Sequence, residues 1–252
     1  MGSLMKTAIA AVAFLMGVPA VVQAADVPTP YYPPAVPIEV GSNWYLRGDI
    51  GYKFYTTPDV HFDEIGYGDM IDEDITSTGV IGVGIGYQFN DSFRMDLTLD
   101  YEWPGHFEGR LICPAPCTVA ADPEYSIERA GITAWTGLVN AYFDFGSWGS
   151  LTPYVGAGIG ASYLVTSDVN FINPDGSTGT WGGAGKWNLA WALMAGLTYD
   201  LSYNLALDMN YRYVHLGDAE SAITTAVTGT QPIRYDDIAA HEIRVGLRWM
   251  IY

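Results

Sequence analysis

The sequence predicts an all-β protein that folds as an eight-stranded antiparallel up-and-down transmembrane β-barrel. Three observations lead to this fold class. Eight segments alternate apolar and polar residues with a period of two, their connections alternate between short and long, and one face of every segment carries no charge. The predicted strands cover residues 44–55, 78–89, 93–103, 130–145, 151–163, 187–200, 205–216 and 240–251.

The third segment shows the alternation without interruption. Its sequence, "FRMDLTLDYEW" at residues 93–103, places Phe93 and Leu97 on one face and Arg94 and Asp100 on the other. Successive side chains of a strand point to opposite faces, so this segment is a strand with one apolar and one polar face. The period alone does not say which face meets water, because soluble sandwiches and membrane barrels both alternate.

The connections distinguish a membrane barrel from a soluble one. Those after the second, fourth and sixth strands are short, with the sequences "NDS", "GSWGS" and "LSYN". The other four are each about twenty residues or longer and are rich in Asp, Gly, Pro and Thr. Compact soluble domains rarely hold several long structureless loops, whereas outer-membrane barrels combine tight periplasmic turns with long extracellular loops. Residues 43–252 are therefore predicted to form a barrel with four long extracellular loops.

The apolar face of each strand is predicted to contact lipid. None of its positions holds Asp, Glu, Lys or Arg. Its middle is aliphatic, as at Leu97 and Val139, and its ends are aromatic, as at Trp44 and Trp135, which matches the two aromatic girdles of a membrane barrel. Glycines on the other face, such as Gly82, leave space for charged side chains in a narrow lumen.

The polar face holds charged residues of both signs, and we expect them to meet inside the lumen as a structural ion-pair network. A buried charge without a partner costs several kcal/mol, and here both signs are present. Such a network nearly plugs the pore, and a catalytic cluster is the alternative interpretation. The predicted network comprises Arg47, Asp49, Arg94, Asp96, Asp100, Glu102, Asp144, Asp208, Arg212, Glu242, Arg244 and Arg248.

The chain before the first strand is predicted to lie outside the barrel. Residues 1–24 combine Lys6, an apolar run and the ending "VQA", as in a secretory signal peptide. An uncleaved membrane anchor is disfavoured, because Gly17 and Pro19 interrupt a short apolar run. Residues 25–42 are Pro-rich and are interpreted as an extended periplasmic segment.

Charge and cysteine usage exclude several classes of function. The net charge of -17 and the pI of about 4.2 argue against nucleic-acid binding. Cys113 and Cys117 in "CPAPC" are predicted to form a loop disulfide, because exported chains meet an oxidising compartment. Zinc requires more thiol or histidine ligands than this motif supplies. The glycine-rich stretches "GVGIG" and "GAGIGA" keep a period of two, so no cofactor is predicted.

Several stretches resemble a known family. The segments "WYLRGDIGYKF", "GVGIGYQFNDSFRMDLTLDYE", "TPYVGAGIGASY" and "HEIRVGLRWMIY" are similar to the small porin-family outer-membrane proteins with an OmpA-type, opacity-like eight-stranded barrel. The resemblance covers residues 43–252 and implies an outer-membrane location, contact with lipid and lipopolysaccharide, and folding by the barrel-assembly machinery. One departure is that Ile251 holds the final lipid-facing register, where the family usually has an aromatic residue.

The resemblance also suggests a role for the mature N-terminus. Some similar barrels are joined to peptidoglycan through the α-amine of an N-terminal Ala that precedes an acidic residue. Cleavage after Ala24 leaves Ala25 and Asp26 in that position. Ala25 is therefore a candidate attachment site, and a plain spacer is the alternative.

We expect a structural and surface-display role in the envelope and no enzymatic activity. A small non-specific diffusion porin and a loop-mediated adhesin or haem receptor are the alternatives. An outer-rim enzyme, or a haem or metal contact, would use His215 and His241, but no histidine shows His-x-Ser spacing. The acidic first long loop is interpreted as solvated or as a divalent-cation bridge to lipopolysaccharide; its carboxylates are Asp59, Asp63, Glu64, Asp69, Asp72, Glu73 and Asp74.

Overall fold

The computed structural model describes residues 43–62, 70–112, 125–223 and 231–251. No helix within these ranges is long and apolar enough to cross a membrane. The same ranges hold twelve β-strands, which are β1 (Trp44–Tyr55), β2 (Asp59–Phe62), β3 (Ile71–Ile75), β4 (Thr78–Asn90), β5 (Phe93–Ile112), β6 (Tyr125–Asp144), β7 (Leu151–Thr166), β8 (Val169–Ile172), β9 (Thr178–Trp181), β10 (Gly185–Asp200), β11 (Leu205–Glu220) and β12 (Ile233–Met250).

Eight of these strands pair side by side in a closed antiparallel ring. β1 pairs with β12 on one side and with β4 on the other. The order around the ring is β1, β4, β5, β6, β7, β10, β11 and β12, so neighbours in the ring follow one another along the chain. Closure leaves no free strand edge in the ring. The predicted fold class, an eight-stranded up-and-down barrel, is confirmed.

The two faces of the ring differ as the alternation predicts. Side chains of the apolar parity point outward: Ile50 is 64% exposed, Leu97 55% and Leu193 53%. Side chains of the opposite parity point inward, and Arg94 and Glu242 are completely inaccessible. Apolar residues outside and charges inside are the arrangement expected when the surrounding solvent is lipid.

The strands extend further than predicted on the long-loop side. β5 and β6 each contain 20 residues, about twice the 9 to 11 that cross a bilayer. The predicted end of β5 at Trp103 was too early, because the pairing with β6 shifts register between Glu102 and Gly105. Such a bulge moves every later side chain to the other face. Phe107 therefore points inward, although it shares the odd parity of the lipid-facing residues before it.

An apolar core fills the barrel beyond the membrane. Buried side chains from β5, β6, β7, β11 and β12 meet there, among them Phe107, Leu111, Ile132, Leu164, Leu216 and Ile233. The short strands cover this part of the wall: β2 pairs with β12, β3 with β5, β8 with β6, and β9 with β8. The segments predicted as long loops thus hold ordered strands that widen the extracellular wall.

Several predicted features lie outside the described residues. These are the signal peptide at 1–24, the Pro-rich segment at 25–42 with Ala25, and the cysteine pair Cys113 and Cys117. Asp63, Glu64 and Asp69 of the acidic loop also lie outside them. They remain predictions.

Candidate functional site

The lumen contains one charged layer built around Arg244 on β12. Its guanidinium group contacts three carboxylates: Asp49 on β1, Asp100 on β5 at 2.7 Å, and Glu242 on β12 at 3.2 Å. Arg212 on β11 reaches Asp100 at 2.8 Å and Glu242 at 2.6 Å. These contacts join strands from opposite sides of the ring, so the side chains cross the lumen.

Lys53 completes this layer and was not in the predicted network. Its ammonium group bridges Glu102 on β5 and Glu242 on β12, the latter at 2.9 Å, and all three side chains are fully buried. The alternation of Lys53 with the lipid-facing Tyr52 and Phe54 already predicts that it lies on the polar face of β1, but not which carboxylates it meets. With this lysine the layer holds three cations and four carboxylates, and one of the four, Asp49, also binds Arg47.

A second layer lies nearer the short turns and is built around Arg47 and Asp96. Arg47 binds Asp96 at 3.1 Å and Asp49 at 3.0 Å, and so links the two layers. Asp96 also accepts hydrogen bonds from the Asn140 amide at 2.8 Å and the Tyr45 hydroxyl at 3.1 Å. Several donors thus converge on one buried carboxylate, which offsets the cost of burying its charge.

Aromatic rings contact a second arginine of this layer, Arg94. The Arg94 guanidinium carbon lies 4.1 Å from the centre of the Tyr142 ring and 4.5 Å from that of Tyr154. Its Nε donates to Asp144 at 3.2 Å. The rings supply cation–π contacts where the guanidinium has few hydrogen-bond acceptors. Lumenal tyrosines of this kind were not predicted, although they share the parity of the charged residues.

The predicted network is thus brought together in the lumen. Arg248 lies at its lower end, 3.8 Å from Asp208 and with its terminal nitrogen 3.4 Å from the Thr198 hydroxyl. Below it, a recess of about 800 Å³ opens among the short turns and reaches Asp144 and Arg248. A mid-barrel cavity measures about 10 Å³ and is lined by Arg47, Asp49, Thr98, Asp100, Asn140, Tyr142, Met194, Asn210, Arg212 and Arg244.

The glycine at position 82 shows why small residues line this lumen. A Cβ atom at Gly82 would overlap the Asp100 carboxylate and the Arg244 guanidinium and would lie 3.1 Å from Asp49. The ion pairs of the upper layer therefore occupy the space that a side chain on β4 would need. This close approach accounts for the glycine that the sequence placed on the polar face.

The two candidate histidines face different partners. The ring of His241 is 2.6 Å from the Tyr211 hydroxyl. The ring of His215 stacks on Trp191 with the centroids 5.7 Å apart, and its Nε2 lies 3.4 Å from Asp237. The two imidazoles thus contact different neighbours, although the register sets them diagonally across β11 and β12, with Tyr213 opposite His241 and His215 opposite Ala239.

The acidic first loop does not form a metal centre within the described ranges. Asp72 pairs with Arg110 at 3.1 Å, and no group of three or more potential ligands there could hold a metal ion.

Glu128 is a carboxylate buried in the extracellular apolar core. Its Oε1 accepts a hydrogen bond from the Ser126 hydroxyl at 2.8 Å, while its Oε2 has no hydrogen-bond partner among the described residues. Burial raises the pKa of Glu128 to about 7, against the opposing effect of the Ser126 hydrogen bond. The protonated form is therefore the one that fits the core.

We expect this group to make the barrel less stable as the pH rises from about 4.5 to about 7. Below that window the carboxyl is neutral in both the folded and unfolded chain, and above it the folded protein holds a buried charge. Urea unfolding in lipid vesicles at pH 5 and pH 8 measures the difference. Glu128→Gln should remove most of it, whereas Glu108→Gln, at an exposed position, should leave it. An unchanged pH dependence in Glu128→Gln would contradict the assignment.

Comparison with known proteins identifies the family of this chain. The family described as outer membrane protein β-barrel domain matches residues 10–250. The chain belongs to this family. An uncharacterized protein of Brucella melitensis is 38% identical over 195 residues, which cover 69% of this chain and 68% of that one. Outer membrane protein PagN of Salmonella typhimurium is 28% identical over 173 residues, covering 67% and 71%.

A solved structure is also similar. OprG of Pseudomonas aeruginosa shares 17% identity, with 83% of this chain and 97% of that chain covered and a TM-score of 0.48. Family membership places the protein in the outer membrane, where its apolar face contacts the membrane lipid. The sequence-based predictions of family, fold and location are confirmed, and the protein serves in the cell envelope.

Proposed function

We propose that this protein is a closed barrel that supports the outer membrane structurally, displays a rigid extracellular surface and does not conduct solutes. The observation that supports this proposal is the lack of open space in the lumen. Its mid-barrel cavity of about 10 Å³ holds about one water molecule, whereas a diffusion porin needs a continuous water path. Ion pairs from β1, β5, β11 and β12 occupy that path.

Conductance in a planar bilayer tests the closed lumen. The reconstituted wild-type protein is expected to give no steady step openings, because every buried charge would have to lose a partner before the path could open. Heat-modifiable gel mobility of the same sample reports that the barrel is folded. Steady openings from folded protein would contradict the proposal and favour the diffusion porin.

The extracellular wall supports the surface-display part of the proposal. β3, β5, β6, β8 and β9 form a continuous hydrogen-bonded sheet beyond the membrane. The apolar core behind this sheet stiffens it.

A loop-mediated adhesin, the second candidate, would use the same wall. Deletion of the β8–β9 hairpin should then abolish attachment of expressing cells to host matrix while the barrel still assembles; attachment that persists would remove the adhesin candidate.

Further partners belong to the same proposal. We propose that lipopolysaccharide surrounds the extracellular wall, that the barrel-assembly machinery inserts the chain, and that Ala25 is joined to peptidoglycan. Digestion of sacculi with muramidase should release the barrel with a muropeptide on Ala25, and an unmodified amine would remove that link. We also propose that the protein is not an enzyme. The contacts of His241 with the Tyr211 hydroxyl and of His215 with the Trp191 ring support this proposal.

A further inference from the structure

A polar recess lies at the short-turn end of the barrel. We call it the periplasmic recess, because outer-membrane barrels place their short turns in the periplasm. Its volume of about 800 Å³ is in the range of small-molecule binding sites. Amide, hydroxyl and carboxyl groups of the turns after β4, β6 and β10 line it, among them Asp91, Ser92, Ser147, Asp200, Ser202 and Asn204. Such a lining suits a polar ligand that enters from the periplasm.

Arg248 on β12 lines the floor of the periplasmic recess, and its side chain is only 10% exposed. The guanidinium lies 3.4 Å from the Thr198 hydroxyl and 3.8 Å from an Asp208 carboxylate oxygen, and its Nη1 has no hydrogen-bond partner in the described ranges. Both contacts are longer than the 2.7 to 2.9 Å of about the usual charge-assisted hydrogen bond. The guanidinium therefore retains donor capacity for an anionic group that enters from the recess.

A carboxylate that lacks a cationic partner lies on the same wall of the recess. Asp200 on β10 lines the recess, is exposed, and forms no ion pair with any residue in the described ranges. The register sets Asp200 opposite Ala206, and Ala206 opposite Arg248, so the three residues follow one another across β10, β11 and β12 on the same face. Ala206 carries only a methyl group. No large side chain therefore separates the two charged residues.

The spacing of the two charged groups fits a ligand that carries both signs of charge. Arg248 reaches across β11 to Thr198, which lies two residues before Asp200 on the same face of β10. Two residues of a strand span about 6.8 Å, so one small molecule can touch both groups. In a group with an amine and a carboxylate on one carbon, the nitrogen and an oxygen are about 3 Å apart. With a hydrogen bond at each end, such a group bridges up to about 8 Å.

We propose that the periplasmic recess binds an α-amino carboxylate group, which is a carbon atom that bears both a protonated amine and a carboxylate. The carboxylate accepts hydrogen bonds from Arg248, and the ammonium donates to Asp200. The other acids of the recess, Asp91 and Asp144, disfavour a ligand with negative charge alone. The recess has room for more than this group, so either a free amino acid or the end of a longer polar chain supplies it. The site needs neither the closed lumen nor the attachment of Ala25.

Titration of the ¹⁵N-labelled protein in detergent micelles, followed by NMR chemical shifts, tests the site. Glycine carries both charges, N-acetylglycine only the carboxylate, and glycinamide only the ammonium. We expect glycine to shift the Arg248 Nε–H signal and to bind about fivefold more tightly than either blocked analogue, because each analogue lacks one charge pair. The absence of a shift with glycine, or equal binding of glycine and N-acetylglycine, would overturn the proposal.

A longer ligand distinguishes the two sources of the group. Nε-acetyllysine carries the same α-amino carboxylate on an extended side chain. Tighter binding of Nε-acetyllysine than of glycine would support the end of a longer molecule as the natural ligand. Equal binding of the two would support a free amino acid in the same site.

Matched variants locate the two halves of the site. Asp200→Asn should weaken glycine binding about threefold and leave N-acetylglycine binding unchanged, because only the ammonium contacts that carboxylate. Asp91→Asn is the control, since it removes another exposed carboxylate of the same recess, in the β4–β5 turn, and it should bind glycine like the wild type. Equal weakening by the two variants would refute the assignment of the amine to Asp200.

Arg248→Gln tests the carboxylate half. It should weaken the binding of glycine and N-acetylglycine alike by about tenfold, the effect of a lost hydrogen bond to a charged group. Heat-modifiable gel mobility reports whether this variant folds, because Arg248 also belongs to the lumenal network. If it does not fold, the exposed Asp200→Asn and Asp91→Asn pair still decides the proposal. Undiminished glycine binding by folded Arg248→Gln would refute it.

Discussion

Arg244→Ala is expected to lower the free energy of unfolding by about 3 to 5 kcal/mol, because breaking a buried ion pair leaves its partners charged and unpaired. Arg244 contacts Asp49, Asp100 and Glu242 inside the lumen, and its own side chain is 2% exposed. Removing it leaves Arg212 and Lys53 to neutralise the remaining carboxylates of the layer. Urea unfolding in lipid vesicles, followed by tryptophan fluorescence, measures the loss.

The matched control for this variant is Arg129→Ala. Arg129 is also paired with a carboxylate, but that pair lies on the extracellular surface with both side chains more than half exposed. An exposed pair contributes about 0 to 1 kcal/mol, so this variant should unfold almost like the wild type. Equal losses in the two variants would show that Arg244 is not held in a buried network.

Leu193→Arg is expected to cost about 2 to 4 kcal/mol, because it places a charge on the lipid face near the bilayer midplane. Leu193 points outward from β10 and is 53% exposed on the isolated barrel, and Leu97 and Val139 hold equivalent positions on β5 and β6. Arg at either of those positions should have a similar cost. The measurement is again unfolding from lipid vesicles.

Thr178→Arg is the control, since Thr178 lies at the exposed start of β9 in the extracellular hairpin. The new arginine would be in water, so the expected change is within about 0.5 kcal/mol. If Thr178→Arg and Leu193→Arg destabilise equally, the lipid-facing assignment of the apolar parity fails. Tyr199→Arg places the arginine in the aromatic girdle near the membrane surface. It should therefore cost less than Leu193→Arg at the midplane.

The sequence by itself determined the strands that cross the membrane and the orientation of their faces. β1 and β4 begin and end within a residue of their predicted limits. The strands and their faces follow from the local sequence. A period of two assigns alternate residues to opposite faces, and the face in contact with lipid carries no charge. Parity alone predicted the side of each lumenal charge, and it also placed Lys53 on the polar face.

Only the tertiary structure decided which charges pair and where the parity changes. Asp49 and Arg244 meet although 195 residues separate them along the chain, because ring closure sets β1 beside β12 in one register. The bulge between Glu102 and Gly105 turns Phe107 inward and creates the extracellular core. A bulge depends on the pairing of two strands, and a pairing register depends on the whole ring, so neither can be read from one strand's alternation.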